Sequence, residues 1–74
     1  MGVSKKLVAY HISRLKDRSP DVRLRSIHEL EQLGEPEALE ALQDIYRNDP
    51  VPEVRQAAQQ AGRVIYSKQL GSQQ

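Results

Sequence analysis

Two histidines and the acids beside one of them have the most evident potential for chemistry. His11 and His28, with Glu29 and Glu31, are residue types that bind zinc. Two ligands on one helix reach the same metal when they lie three or four residues apart, and His28 with Glu31 is the one pair so spaced. A dedicated site usually needs three or four protein ligands. We therefore predict no metal site.

The sequence also lacks the residue sets of common catalytic mechanisms. It contains no cysteine, so it has no thiol nucleophile, no thiolate ligand and no disulfide. No Gly-rich phosphate loop, Ser/His/Asp set or nucleophile elbow is present. The acid pairs Glu29/Glu31 and Glu35/Glu37 are two residues apart, so they diverge on a helix. We predict that the chain is not an enzyme and binds no cofactor.

Length and composition set the size of the domain. A chain of 74 residues with three Tyr, no Trp and no Phe forms at most one domain with a thin aliphatic core. We expect a free energy of unfolding near the low end of about 5–15 kcal/mol. No apolar run approaches the ~20 residues of a membrane span. Together with the absence of cysteine, this predicts a soluble cytoplasmic protein without a membrane partner.

Proline and glycine divide the chain into four segments with helical periodicity. Ser4 can cap the first segment, and Ser19-Pro20-Asp21 is a typical start for the second. Gly34 favours a helix end there, and the prolines of residues 48–52 must end the third helix. Short connections require antiparallel neighbours. We predict a single domain over residues 1–74, with one hairpin at about 4–33, a second at about 36–66, and a flexible tail at 67–74.

The two hairpins are repeats of each other. Pro20-Asp21-Val22-Arg23 at the start of the second segment recurs as Pro52-Glu53-Val54-Arg55 at the start of the fourth. The connection before the second copy is one residue longer, because Val54 lies one residue further from Tyr46 than Val22 lies from Leu15. A fixed repeat of this length indicates stacked supersecondary units.

These motifs resemble the HEAT repeat, especially its short bacterial and archaeal form, which is also associated with phycobilisome lyases. The resemblance rests on the turns at residues 17–23 and 49–55 and on the link Leu33-Gly34-Glu35-Pro36-Glu37-Ala38, and it covers about residues 7–66. It implies an all-α fold in which two antiparallel helical hairpins, four helices in all, stack as a short right-handed α-solenoid. Gly62 departs from the family pattern, which usually has Leu there.

The resemblance also assigns a structural role to the charged residues of the turns. In the family, a turn Asp and a turn Arg form a ladder between adjacent repeats. Asp17, Arg23, Asp49 and Arg55 take those positions here. A carboxylate can accept from helix N-terminal amides while an Arg donates to it with two N–H groups.

A possible binding surface follows from the periodicity of the second and fourth helices. If Val22, Ser26, Leu30 and Leu33 form the core face of the second helix, the opposite face presents Leu24, His28 and Glu31. The equivalent residues of the fourth helix, one repeat later, are Gln56, Gln60 and Arg63. We name these six residues the second-helix stripe. The resemblance implies that the stripe lines a concave face, and an outward Leu24 beside long polar side chains suits protein binding.

These features predict a noncatalytic protein–protein interaction module, an adapter or assembly factor whose partner is another protein or a second copy of the chain. Binding is expected at the second-helix stripe and at the uncovered ends, because solenoids usually need three or more repeats.

Two alternatives remain open. The resemblance allows an accessory role in phycobiliprotein or tetrapyrrole metabolism. The charge distribution allows nucleic-acid binding, because positions 1–25 carry seven basic residues against two acids, whereas positions 26–53 carry eight acids against one base. The basic residues are Lys5, Lys6, Arg14, Lys16, Arg18, Arg23 and Arg25.

Overall fold

The computed structural model describes residues 5–71, which form four α-helices and no strand. The α-helices are α1 (Lys5–Arg14), α2 (Pro20–Leu33), α3 (Leu39–Asn48) and α4 (Pro52–Gly71), and a short 3-10 helix (Pro36–Ala38) precedes α3. Helices α1 and α2 form one hairpin, α3 and α4 form the other, and α2 packs against α4. The predicted all-α stack of two hairpins is confirmed. Within residues 5–71, no helix is long and apolar enough to cross a membrane.

Local sequence determines both ends of α2. Ser19 has an extended backbone, and its hydroxyl accepts a hydrogen bond from the Val22 amide at 3.4 Å. Pro20 fits the first helical position because its fixed φ suits the helix and no N–H is needed there. Gly34 ends the helix in the left-handed conformation, with φ 70°, and its amide donates to the Leu30 carbonyl at 3.0 Å. The expected cap of α1, Ser4, lies outside the described residues.

Helix α4 extends beyond the hairpin boundary expected at residue 66 and ends at Gly71. The physical reason is that Tyr66 stands at the repeat position of Gly34. A tyrosine does not readily adopt the left-handed conformation that ends α2, so α4 continues. The extension reaches the first hairpin, because the Gln69 side-chain amide donates to the Gly34 carbonyl at 3.4 Å. Residues 67–71 of the expected tail are therefore helical, and 72–74 lie outside the described residues.

The core runs between the two hairpins and differs in one respect from the expected pattern. Ser26 and Leu30 of α2 are buried as predicted, but the most buried positions also include Arg23 and Ile27. The remaining residues of the predicted core face, 22 and 33, are only partly buried. The buried face of α2 is thus rotated toward Ile27. The largest fully buried side chains are Ile27, Leu30, Leu42, Val54 and Ile65.

We predict opposite effects of alanine at two glycines. Gly34→Ala should lower the free energy of unfolding by about 1–2 kcal/mol, because an L-residue is strained at φ 70°. An added Cβ would also lie 3.1 Å from the Lys68 side chain. Gly62→Ala is the matched control in the interior of α4, where an added Cβ meets nothing within 4 Å. It should stabilise by up to about 1 kcal/mol.

Thermal unfolding followed by circular dichroism measures both variants. For a domain of this size, about 1 kcal/mol corresponds to a shift of roughly 4–8 °C in the melting temperature. A Gly34→Ala variant that melts at or above the wild-type temperature would contradict the assigned role of Gly34.

Candidate functional site

A buried ion pair joins the two hairpins. The Arg23 guanidinium donates from Nε to Oδ2 of Asp49 at 2.7 Å and from Nη2 to Oδ1 at 3.1 Å. The two side chains are only 9% and 3% exposed. Two parallel N–H···O bonds between charged groups give both strength and a defined orientation. We call this pair the rung, and it ties α2 to the turn that precedes α4.

Both turns hold their charged residues in the same local geometry. Asp17 Oδ1 accepts from the Ser19 amide at 2.9 Å, and Asp49 Oδ1 accepts from the Val51 amide at 2.9 Å. Arg23 Nη1 donates to the Asp17 carbonyl at 2.8 Å, and Arg55 Nη1 donates to the Asp49 carbonyl at 2.7 Å. The four turn residues expected to be structural therefore occupy equivalent positions, and each Arg is fixed to its own turn by a carbonyl.

The polar groups of the rung are well satisfied. Arg23 Nη1 donates to the Arg18 carbonyl at 2.9 Å in addition to its bond to the Asp17 carbonyl. Among the described residues, no buried side-chain nitrogen or oxygen lacks a hydrogen-bond partner. Removing one member of a buried charge pair is costly because the other charge is then left without compensation.

The residues of the second-helix stripe differ in exposure. His28 on α2 and Gln56, Gln60 and Arg63 on α4 are exposed, as expected, and Glu31 is half-buried. The prediction that Leu24 points outward is wrong, because Leu24 is half-buried and packs against the hydrophobic core. The rotation of α2 toward Ile27 explains this, because Leu24 lies three residues before Ile27 and so on the same side of the helix. The accessible part of the stripe is polar.

A groove between α3 and α4 was not foreseen from the sequence. It has a volume of about 610 Å³ and adjoins the stripe, because Arg63 lines it. Tyr46 and Tyr66 lie along it with 44% and 58% of their surfaces exposed. Gly62 leaves space where Leu30 fills the equivalent position of the first hairpin. The sequence feature that could have predicted this groove is Gly62, which stands at the repeat position of Leu30.

Two of the basic residues that would favour nucleic acid, Arg14 and Arg23, have partners within the chain. Arg23 is buried in the rung and is not available to a phosphate. Arg14 Nη2 lies 3.5 Å from Asp17 Oδ2, and the Arg14 guanidinium lies 6.0 Å from the centre of the Tyr10 ring. Exposed positions remain at Lys5, Lys6, Lys16, Arg18 and Arg25.

The two histidines lie in different environments. His11 is half-buried, with its ring edge-on to Tyr10 at a centroid distance of 5.1 Å, whereas His28 is exposed. Among residues 5–71, no three His or acidic side chains are grouped in a way that could hold a metal ion.

We predict that the two turn arginines contribute unequally to stability. Arg23→Ala should cost about 3–5 kcal/mol, because it leaves the Asp49 carboxylate buried without its partner. Arg55→Ala should cost about 1 kcal/mol, because it removes a single hydrogen bond to a carbonyl. Urea denaturation measures both losses.

A milder pair of variants covers the case in which Arg23→Ala leaves little folded protein. Lysine keeps the charge but cannot donate two parallel bonds to a carboxylate. Arg23→Lys should therefore destabilise more than Arg55→Lys. Equal losses at the two positions would show that the rung does not hold the hairpins together.

Comparison with known proteins agrees with this geometry. The model of a family described as HEAT repeats matches residues 3–62. Neither the curated proteins nor the solved structures give a significant match. The matched region contains both turns, the Arg23–Asp49 ion pair and about half of α4. The chain therefore belongs to the HEAT-repeat family.

Proposed function

We propose that this chain is a noncatalytic adapter or assembly factor that binds a protein partner in the cytoplasm through the exposed face of α2 and α4. HEAT repeats generally mediate protein–protein interactions, and the family is typically a noncatalytic scaffold.

The observation that carries the proposal is a row of exposed side chains on two helices that pack side by side. His28 projects from α2, and Gln56, Gln60 and Arg63 project from α4. Regular helices fix the backbone that carries these groups, so little backbone conformational entropy is lost when a partner binds. Long polar side chains on a broad face suit hydrogen bonding to a protein surface.

The end faces add apolar contact area next to this row. Leu7 and Tyr10 are exposed on α1, at 43% and 55% of their surfaces. Tyr46 and Tyr66 are exposed at the opposite end of the stack. Tyrosine is enriched in protein interfaces because it offers a large apolar ring and a hydrogen-bonding hydroxyl.

A photo-crosslinking experiment tests the proposed face. A photoreactive phenylalanine analogue is placed at Gln60 in one variant and at Asp44 of α3 in a control variant; both positions are exposed. We expect a discrete protein adduct in a lysate from position 60 and none from position 44. The same adducts from both positions would indicate nonspecific contact and contradict the proposal.

Charge substitutions provide the matched binding test. The double variant His28→Glu and Gln60→Glu alters the face, and Lys16→Gln with Arg47→Gln shifts the charge similarly at exposed positions elsewhere. Exposed substitutions of this kind usually change stability by less than about 0.5 kcal/mol. The first variant should reduce partner capture at least about tenfold, and the control should not. Capture that disappears after nuclease treatment would instead favour the nucleic-acid alternative.

A further inference from the structure

Within residues 5–71, the network of turn charges lacks a partner at each end of the stack. Arg55 is anchored to the Asp49 carbonyl as Arg23 is anchored to the Asp17 carbonyl. Arg23 then uses Nε and Nη2 to bind Asp49, whereas Nε and Nη2 of Arg55 have no acceptor within residues 5–71. Arg55 is also less buried than Arg23. Arg55 is therefore anchored like Arg23, but within residues 5–71 it has no carboxylate to bind.

Asp17 is the complementary end of the same network. Its Oδ1 accepts from the Ser19 amide, as Oδ1 of Asp49 accepts from the Val51 amide. Among residues 5–71, the one basic group paired with its Oδ2 is Arg14, at 3.5 Å. The Asp17 side chain is 29% exposed, compared with 3% for Asp49. Asp17 is therefore positioned like Asp49, but within residues 5–71 no arginine from another repeat binds it.

Exposed apolar residues accompany each open end. Leu39 and Tyr46 line the groove between α3 and α4 and stand at the positions of α3 that correspond to Val8 and Leu15 in the first hairpin. Val8 and Leu15 are buried, at 3% exposure each, in the core between the hairpins. The groove is thus the place where a further hairpin would pack.

The opposite end presents the matching surface. Leu7 and Tyr10 are the repeat equivalents of Ala38, which is buried in the core, and Ala41, which packs against the core. Of the five large hydrophobic residues exposed within residues 5–71, four lie on these two end faces. They are Leu7, Tyr10, Tyr46 and Tyr66.

We propose that two copies of this chain associate head to tail, with Arg55 of one copy bound to Asp17 of the next. This inference deepens the end-face part of the proposed function and rests on it. A second copy fits because the molecule carries both halves of the missing rung, in two turns that share one sequence pattern and one local geometry. The contact is heterologous, so it leaves one Arg55 and one Asp17 open at the outer ends of a dimer.

Polar or small residues at the two faces make this contact weaker than the internal one. Gln43 and Gly62 stand at the repeat positions of Ile12 and Leu30, and Arg14 stands at that of Ile45. Less apolar area is therefore buried than between the hairpins of one copy. The association is reversible and depends on concentration, with a dissociation constant in the range of about 10 µM to 1 mM.

Sedimentation velocity over that concentration range tests the proposal with charge-reversal variants. Arg55→Asp alone and Asp17→Arg alone each place like charges at the contact and should weaken association at least about tenfold. An equimolar mixture of the two variants should associate again, because the new carboxylate at position 55 meets the new guanidinium at position 17. The remaining wild-type Arg55 and Asp17 can also pair in that mixture.

Two further variants keep the test interpretable if Asp17→Arg folds poorly. Asp17→Asn retains Oδ1 as the acceptor for the Ser19 amide but removes the charge, so it should fold and still weaken association. Arg47→Asp, at an exposed position of α3, is the charge-matched control for Arg55→Asp and should leave association unchanged. Circular dichroism confirms that each variant is helical.

Three results would overturn the proposal. They are a wild-type chain that stays monomeric up to about 1 mM, association unaffected by Arg55→Asp and Asp17→Asn, or a charge-reversed mixture that does not associate. None of them affects crosslinking of a different protein at Gln60, so failure of this inference and failure of the proposed function are distinguishable.

Discussion

The bidentate ion pair between Arg23 and Asp49 sets the relative position of the two hairpins. Its guanidinium is fixed on one side by the Asp17 carbonyl of its own turn and on the other by the carboxylate of the next turn, at 2.7 and 3.1 Å. Because both charges are nearly excluded from solvent, a displacement of either turn would leave a buried charge unsatisfied. Apolar packing alone is less directional, so the rung supplies the register that a thin aliphatic core cannot.

Side-by-side packing of α2 and α4 is the main consequence of this register. Ala58 and Ala61 of α4 are buried in the same core cluster as Ile27 and Leu30 of α2. This packing of α2 against α4 is the basis for the proposal that the exposed residues His28 and Gln60 belong to one face. The side chains of such a surface stand at fixed spacing along the helices, and binding to them needs no pocket. That geometry suits recognition of another macromolecule better than the enclosure of a small substrate.

Much of this fold can be predicted from local signals. Ser19-Pro20 and Gly34 define α2 through backbone conformations that few other residues favour, and the repeated turn motif predicts the stack. The rotation of α2, which buries Ile27 and turns Leu24 toward the core, could not be derived from one helix alone. This rotation depends on the side of α2 against which α4 packs, and that is a tertiary contact. The extension of α4 could have been predicted from the sequence, because Tyr66 stands at the repeat position of Gly34, the residue that ends α2.

The end faces show why the candidate site was harder to predict than the fold. Hydrophobic periodicity assigns Leu39 and Tyr46 to the inward stripe of α3, as it assigns Val8 and Leu15 to α1. Only the stacking order shows that the α1 residues face another hairpin while Tyr46 borders an open groove. The same sequence pattern therefore gives a buried contact between the two hairpins and, at the groove, the surface that we propose as a binding site. The polar substitutions at those faces, Gln43 above all, keep the surface compatible with water, so the binding that we propose there is expected to be reversible.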